Sequence, residues 1–387
     1  MANQGNPPAN LQRYGVPFYA TAWVPEDAVR SNISKDPEKS KDGESSSSSR
    51  DYVVLAGGGG EGHSGIPNAI IISHVDLAAN SLSGRPVANH LTGSDLPYRM
   101  TVHPGGDGLI CGLPNRCRVF KWEEILSSGD NDHDSEESER VVQELQDVGQ
   151  QLALAFNRDG SVLATGGEDG TLRVFKWPSM KMILNESKAH SSVKDLTFSL
   201  SGKFLVSLGA PLCRVWDVSA SAAVASLSKE KDEIFAFCRF FSRNGDDEVL
   251  YVAAMTDRGG SVITWDTTSW KRKGAKQITK DAISAFNVSP DGKLLALGTI
   301  EGNVWVVDSG SMRVKQVVKR AHLGLVTALT FSPDSRGLVS ASMDSSARLT
   351  LVEEQMGEEH GNGWWVALFV VMLAVLVYFL KSRGFLL

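Results

Sequence analysis

The chain repeats itself. Phe156 to Trp177 reads FNRDGSVLATGGEDGTLRVFKW, Phe286 to Asp308 reads FNVSPDGKLLALGTIEGNVWVVD, and Phe331 to Val352 reads FSPDSRGLVSASMDSSARLTLV. Each unit is a β-rich run, a turn of Asp, Gly or Ser, an alternating strand, a second turn and a third strand. Arg158-Asp159-Gly160, Asp169-Gly170 and Asp291-Gly292 carry the hairpin chemistry that joins antiparallel strands tightly. Weaker copies run from Tyr98 to Trp122, Phe198 to Asp217 and Phe240 to Asp266, and a first unit starting near Tyr52 ends at Asp76. Third strands therefore end near residues 76, 122, 177, 217, 266, 308 and 352. That is seven units at a period of roughly 40 to 50 residues, and a repeat of this kind cannot bury its apolar faces alone.

The period and the endings VWD and TWD match WD40-type blades, while FKW, VVD and TLV depart from that dipeptide. The expected fold is all-β: a seven-bladed WD40-like β-propeller over residues 51–353, plus one carboxy-terminal transmembrane helix. Closing the ring leaves the last blade one strand short unless the amino terminus supplies it. Tyr14 to Trp23, YGVPFYATAW, is rich in β formers and is assigned that role as a strand over about residues 14–24, since closure removes exposed sheet edges. The rest of residues 1–50 includes SNISKDPEKSKDGESSSSSR, too polar to pack, and is expected to be a disordered linker. Ser127 to Arg140, SSGDNDHDSEESER, is acidic and expected to be a solvated insertion.

Residues 364–380, WWVALFVVMLAVLVYFL, are seventeen consecutive apolar residues. As a helix they cover roughly 25 Å, slightly less than a bilayer core of about 30 Å. Trp364, Trp365 and Tyr378 stand where aromatic belts belong. The expected organisation is a juxtamembrane linker at 354–363, the span at 364–380 and a short luminal tail at 381–387. The amino-terminal MANQGNPPANLQRYG has no apolar core of a signal peptide, so the propeller is expected to stay in the cytosol. Lys381 and Arg383 beyond the span oppose this by the positive-inside rule, but two charges on so short a tail weigh little. The sequons at Asn32 and Asn185 are then expected to stay unmodified. The short span favours a thin membrane such as the endoplasmic reticulum.

Leu55 to Ile70, LAGGGGEGHSGIPNAI, contains G-x-G-x-x-G at Gly57, Gly59 and Gly62. A dinucleotide fingerprint works when its glycines turn a strand into a helix whose amino terminus meets a pyrophosphate. Here Pro67 and the β-branched run AIIISHV follow, which reads as a second strand, and no Gly-Lys-Ser/Thr closes the loop. Gly57 to Pro67 is instead a long loop between two strands of the first blade, well beyond the two to five or so residues a hairpin needs. Long loops on a rigid scaffold are where binding residues collect. Its glycines permit close backbone approach, and carbonyls freed by the fold can coordinate a monovalent cation. The Pro97-Tyr98 segment after Asp95 is expected to line the same surface.

A propeller whose first blade holds GGGGxxxxGIPN, followed by a single carboxy-terminal anchor, resembles the Sec-twelve family over nearly the whole chain, its short tail looking most like plant members. The resemblance implies a guanine nucleotide exchange factor of the endoplasmic reticulum membrane, acting without covalent chemistry on the Sar-type small GTPase that starts COPII coat assembly. It implies that the loop is organised around a potassium ion and inserts at the nucleotide site of the GTPase. The contacting positions it implies here are Gly57, Gly58, Gly59, Gly60, Gly65, Ile66, Pro67 and Asn68, with Asn68 at the family's key asparagine. The alternative is a non-exchanging trafficking facilitator of similar architecture that helps membrane transporters leave the endoplasmic reticulum; retention of GGGG and GIPN favours exchange.

Other constellations point to structure. With a net charge of -6 and no extended basic stretch, no nucleic-acid partner is expected. Cys111, Cys117, Cys213 and Cys238 have no CxxC or zinc spacing and read as buried thiols in a reducing compartment. His190 and His322 sit where propeller repeats hydrogen-bond a histidine within the blade. Asp159, Asp169, Asp291 and Asp344 read as turn residues. No nucleophile with an associated base stands out.

Overall fold

A computed structural model of the chain describes residues 8–25, 51–62, 64–127, 144–145, 147–242, 248–352, 371–372 and 383. Seven antiparallel sheets account for the described residues up to 352. The first blade comprises Phe18–Trp23, Asp51–Gly57, Ala69–Asp76 and an outer edge split into Ser81–Leu82 and Ala88–Leu91, both paired with Ala69–Asp76. The second comprises Arg99–Val102, Leu109–Gly112, Cys117–Phe120 and Glu144–Leu145. The third to sixth blades start at the inner strands Gln151–Phe156, Val193–Phe198, Ile234–Ser242 and Ile283–Val288.

The seventh blade comprises Val326–Phe331, Gly337–Ser342, Ser346–Leu351 and Leu11–Arg13. Ring closure therefore differs from the expectation. The amino-terminal strand that completes the last blade is Leu11–Arg13, paired with Ser346 to Arg348, and Asn10 donates its side-chain amide to the Leu349 carbonyl at 3.0 Å. Most of the expected closing strand, Phe18–Trp23, is instead the inner strand of the first blade, paired with Val53 to Gly57. Buried Val16 and Phe18 explain the difference, since a partly solvated outer strand has no place for them. A second difference is a short helix, Trp122–Ser127, that follows the third strand of the second blade.

The core explains why the middle strands read as continuous apolar runs. Along Asp51–Gly57, Val53 and Leu55 pack with Val339 and Leu349 of the seventh blade. The alternating Val54 and Ala56 pack with Leu109, Cys111 and Phe120 of the second. A strand with a neighbouring blade on each face is apolar at every position. Similar layers join the remaining neighbours: Cys117 with Leu163, Leu172 with Leu196, Val215 with Val252, Val262 with Leu297, and Val304 with Val326. Each fully buried Leu or Val contributes about 1.5–3 kcal/mol, spread around the ring rather than gathered in one centre.

Residues 353–387 form a separate unit, of which Val371 and Met372 are described and helical. The juxtamembrane linker, the rest of the 364–380 span and all but Arg383 of the 381–387 tail lie outside the described residues, as do residues 31–50 and the acidic insertion from 128 to 140. Among the described residues no helix is long and apolar enough to cross a membrane.

Candidate functional site

Within each blade the connection from second to third strand emerges on the same face as the connection to the next blade, because successive strands alternate in direction. Gly57 to Asn68 is such a connection. It leads into the strand Ala69–Asp76 and not into a helix, so the geometry of a dinucleotide turn is absent.

The base of the loop is built by close backbone approach. Gly57 lies against the Pro17 carbonyl, where a Cβ atom would overlap it, and the Gly58 amide donates to that carbonyl at 2.9 Å. Gly58 has φ +151° and Gly60 has φ +78°, conformations that L side chains rarely adopt. A Cβ on Gly58 would also run into the Asn68 side chain.

Asn68 closes the base. It is 3% exposed. Its Oδ1 accepts the Gly60 amide at 2.9 Å, and its Nδ2 donates to the carbonyls of Gly93 at 3.0 Å and Gly60 at 3.4 Å. The Asn68 carbonyl accepts the Thr92 amide at 3.0 Å. Thr92 in turn donates its hydroxyl to the Asp95 carbonyl at 2.7 Å, and the Asp95 carboxylate pairs with Arg116 on the second blade. The loop is thereby knitted to the segment that joins the first two blades.

The sequence-derived residues divide into base and tip. Gly57, Gly58 and Asn68 are buried, Gly59 and Gly60 are half-buried, and Gly65, Ile66 and Pro67 are exposed with Glu61, Gly62 and Ser64. Within the tip the Ser64 amide donates to the Gly62 carbonyl at 2.6 Å, and the Ser64 hydroxyl accepts the Ile66 amide at 3.3 Å. The residues not foreseen are Pro17, Thr92, Gly93 and Arg116; a threonine-glycine-serine-aspartate run at 92–95 was the available sign of a tight turn.

The inner side of the loop is lined by neutral oxygens. A Cβ on Gly59 would overlap the Ser64 hydroxyl and lie 2.8 Å from the Ile66 carbonyl oxygen. One on Gly58 would lie 2.7 Å from the Pro67 carbonyl oxygen and overlap Asn68 Oδ1. Carbonyl, hydroxyl and amide oxygens are the donors that replace the hydration shell of a monovalent cation, so these residues fit such an ion. Among the described residues no group of three or more His, Cys, Asp or Glu is placed to hold a metal.

The other singled-out residues serve the blades. His322 bridges Ser346 Oγ and Ser340 Oγ, each at 2.7 Å, with Asp344 beside it. Ser207 Oγ lies 2.7 Å from His190 Nε2 and accepts the Trp216 indole N–H at 2.8 Å. Asp159, Asp169, Asp291 and Asp344 accept backbone amides two residues ahead, as turn residues do. The four cysteines are buried and free, and burial pushes the thiols of Cys111, Cys117, Cys213 and Cys238 far up. None is primed as a nucleophile.

These features define a class: a closed WD-repeat propeller that carries a braced, glycine-built loop on one face. The WD domain, G-beta repeat pattern matches residues 146–176 and 314–350. The chain is 64% identical over 372 residues to SEC12-like protein 2 of Arabidopsis thaliana, covering 94% of each protein. It is 33% identical to SEC12-like protein 1 of the same plant, covering 82% of this chain and 80% of that one. It is 25% identical to the mouse guanine nucleotide-exchange factor SEC12, covering 86% of this chain and 93% of that one. The chain belongs to the SEC12-like family.

Proposed function

We propose that this protein is a guanine nucleotide exchange factor for a small GTPase, with the glycine loop 57–68 as the element that displaces GDP. The observation that carries the reading is the loop's construction: an exposed tip at Gly65, Ile66 and Pro67 on a base held by Asn68. A braced tip keeps its shape when pressed against a partner, so ordering it on contact costs little.

A small GTPase holds its nucleotide through a phosphate loop, magnesium and ordered switch segments. A protein that binds the nucleotide-free form more tightly lowers nucleotide affinity by the same factor, because linkage is reciprocal. A thousandfold loss of affinity requires about 4 kcal/mol of differential binding, within reach of a few buried contacts. The tip supplies an apolar wedge in Ile66 and Pro67 against a switch segment. Buried Asn68 acts by fixing the loop.

The finer assignment is to the Sar-type GTPase that starts COPII coat assembly at the endoplasmic reticulum. The propeller then faces the cytosol, held by a single-pass anchor at 364–380. The relationship to the mouse exchange factor and the apolar run in the sequence support it. A potassium ion would be held by Ser64 Oγ, Asn68 Oδ1 and the carbonyls of Ile66 and Pro67, and its charge would fix the loop's shape.

A second reading is a non-exchanging facilitator of cargo exit, favoured by the plant relatives, whose names specify no exchange activity. One experiment separates the two: nucleotide release from a Sar-type GTPase, followed by tryptophan fluorescence, with wild-type protein and Asn68→Ala. Exchange predicts acceleration by wild type and a marked loss in the variant. No acceleration by wild type leaves the facilitator; equal acceleration by both removes Asn68 from the mechanism.

A further inference from the structure

The exposed tip at Gly65, Ile66 and Pro67 is too small to hold a protein partner alone, since a specific interface buries about 800 Å² per partner. The rest of the contact must lie on surface continuous with the loop. From the loop, a chain of backbone contacts runs across one face of the ring. Gly58 donates to Pro17, Tyr14 donates to Ser345 at 3.1 Å, and Met343 donates to Leu325 at 3.4 Å. His322 then donates to Gly302 at 3.1 Å. The connections of the first, seventh and sixth blades are thus neighbours in that order.

Each carries an exposed large apolar side chain. Leu91 at the loop base is 59% exposed and Ile66 at the tip 38%; Met343, Leu323 and Ile300 are 42%, 79% and 50% exposed. On the opposite arc of the same face the turns of the third and fifth blades hold Glu168-Asp169 and Asp257-Arg258, and in those of the second and fourth Leu113 is buried and Leu212 half-buried. There Ile234 stands by itself among the described residues. Nothing in propeller packing requires Leu323 or Ile300 to be apolar, because the interblade layers are complete without them. Apolar side chains at the centre of a contact with charged surface around it are the ordinary make-up of a protein interface.

We infer that the apolar band formed by Met343, Leu323 and Ile300 is a docking surface for the GTPase, continuous with the glycine loop and distinct from it in role. The inference rests on the exchange reading. The band holds and orients the GTPase across the seventh and sixth blades, and the loop at its end meets the nucleotide site. Docking and displacement are therefore separable.

The test is nucleotide release from the GTPase as a function of the concentration of the full chain. The variants are Leu323→Glu, Ile300→Glu and Met343→Glu, with Met182→Glu on the outer strand of the third blade as a control. Thermal melting establishes that each is folded. Each band variant is expected to raise the half-saturating concentration by about tenfold, the equivalent of one lost well-packed side chain, with the maximal release rate retained. Met182→Glu is expected to superimpose on wild type. Band variants that also superimpose, or that lower the maximal rate at unchanged half-saturation, overturn the docking surface while exchange stands. A wild-type chain that never accelerates release overturns both.

Discussion

The side chain of Asn68 and the backbone of Gly60 hold each other: Gly60 donates its amide to Asn68 Oδ1 at 2.9 Å, and Asn68 Nδ2 points back to the Gly60 carbonyl at 3.4 Å. One buried amide thus ties the start of the loop to its end, and its bond to Gly93 ties both to the segment that joins the first two blades. Replacing Asn68 with alanine removes three hydrogen bonds at once, two to the half-buried Gly60 backbone and one to the Gly93 carbonyl. The expected cost is about 1–3 kcal/mol. The effect should be local, with faster hydrogen exchange at Gly58 and Gly60 than at the strand amides of Val53 to Leu55.

Two glycines of the same loop should respond oppositely to one added methyl group. Gly58→Ala places a Cβ against Asn68 at φ +151° and is expected to cost about 2 kcal/mol or more, seen as a lower melting temperature and weaker exchange. At Gly62 a Cβ meets nothing within 4 Å. Gly62→Ala is expected to change stability by no more than about 0.5 kcal/mol. Equal effects would mean that the loop is not built on close approach at its base.

Ring closure depends on a short amino-terminal strand. Removing residues 1–13 deletes Leu11–Arg13, its ladder to Ser346 to Arg348 and both Asn10–Leu349 bonds. The edge of Ser346–Leu351 is then unpaired. A lower melting temperature and concentration-dependent association by light scattering are expected.

Stability should fall on acidification because of His190. Burial above all, and then the Arg214 guanidinium, pushes its imidazole down to about 4 from the ordinary 6.5. Below pH 6.5 the unfolded chain takes up a proton that the folded chain refuses until about pH 4, so stability is lost as pH falls through that window. The contribution is at most about 1.4 kcal/mol per pH unit. Denaturant midpoints between pH 7 and 4 should drop more steeply for wild type than for His190→Gln, which cannot protonate.

The sequence made the architecture legible through its turns and third strands. Asp159-Gly160 and Asp291-Gly292 fix hairpins locally, and the runs at Val162–Gly167 and Leu294–Thr299 are apolar because blades cover both faces. The assignment of Phe18–Trp23 to the last blade failed for a physical reason. Residues 24–50 separate Trp23 from its partner strand at Asp51, so nothing local announces the pairing. Leu11–Arg13 has only three residues and no apolar alternation to reveal it. At the site, the glycine run stood out by composition, and Asn68 only through the family resemblance. Pro17, Thr92, Gly93 and Arg116 did not, because their contributions are mostly carbonyl, amide and charge contacts made across the fold.

The central claim is that a braced tip on the first blade drives GDP from a small GTPase. Its most direct test is the release rate of a fluorescent GDP analogue from the Sar-type GTPase with wild-type protein and with Ile66→Ser, a change at an exposed position that leaves the base of the loop intact. The account predicts acceleration by wild type and a loss of about tenfold or more in the maximal rate of the variant, with its melting temperature unchanged. Equal maximal rates for the two proteins would contradict it.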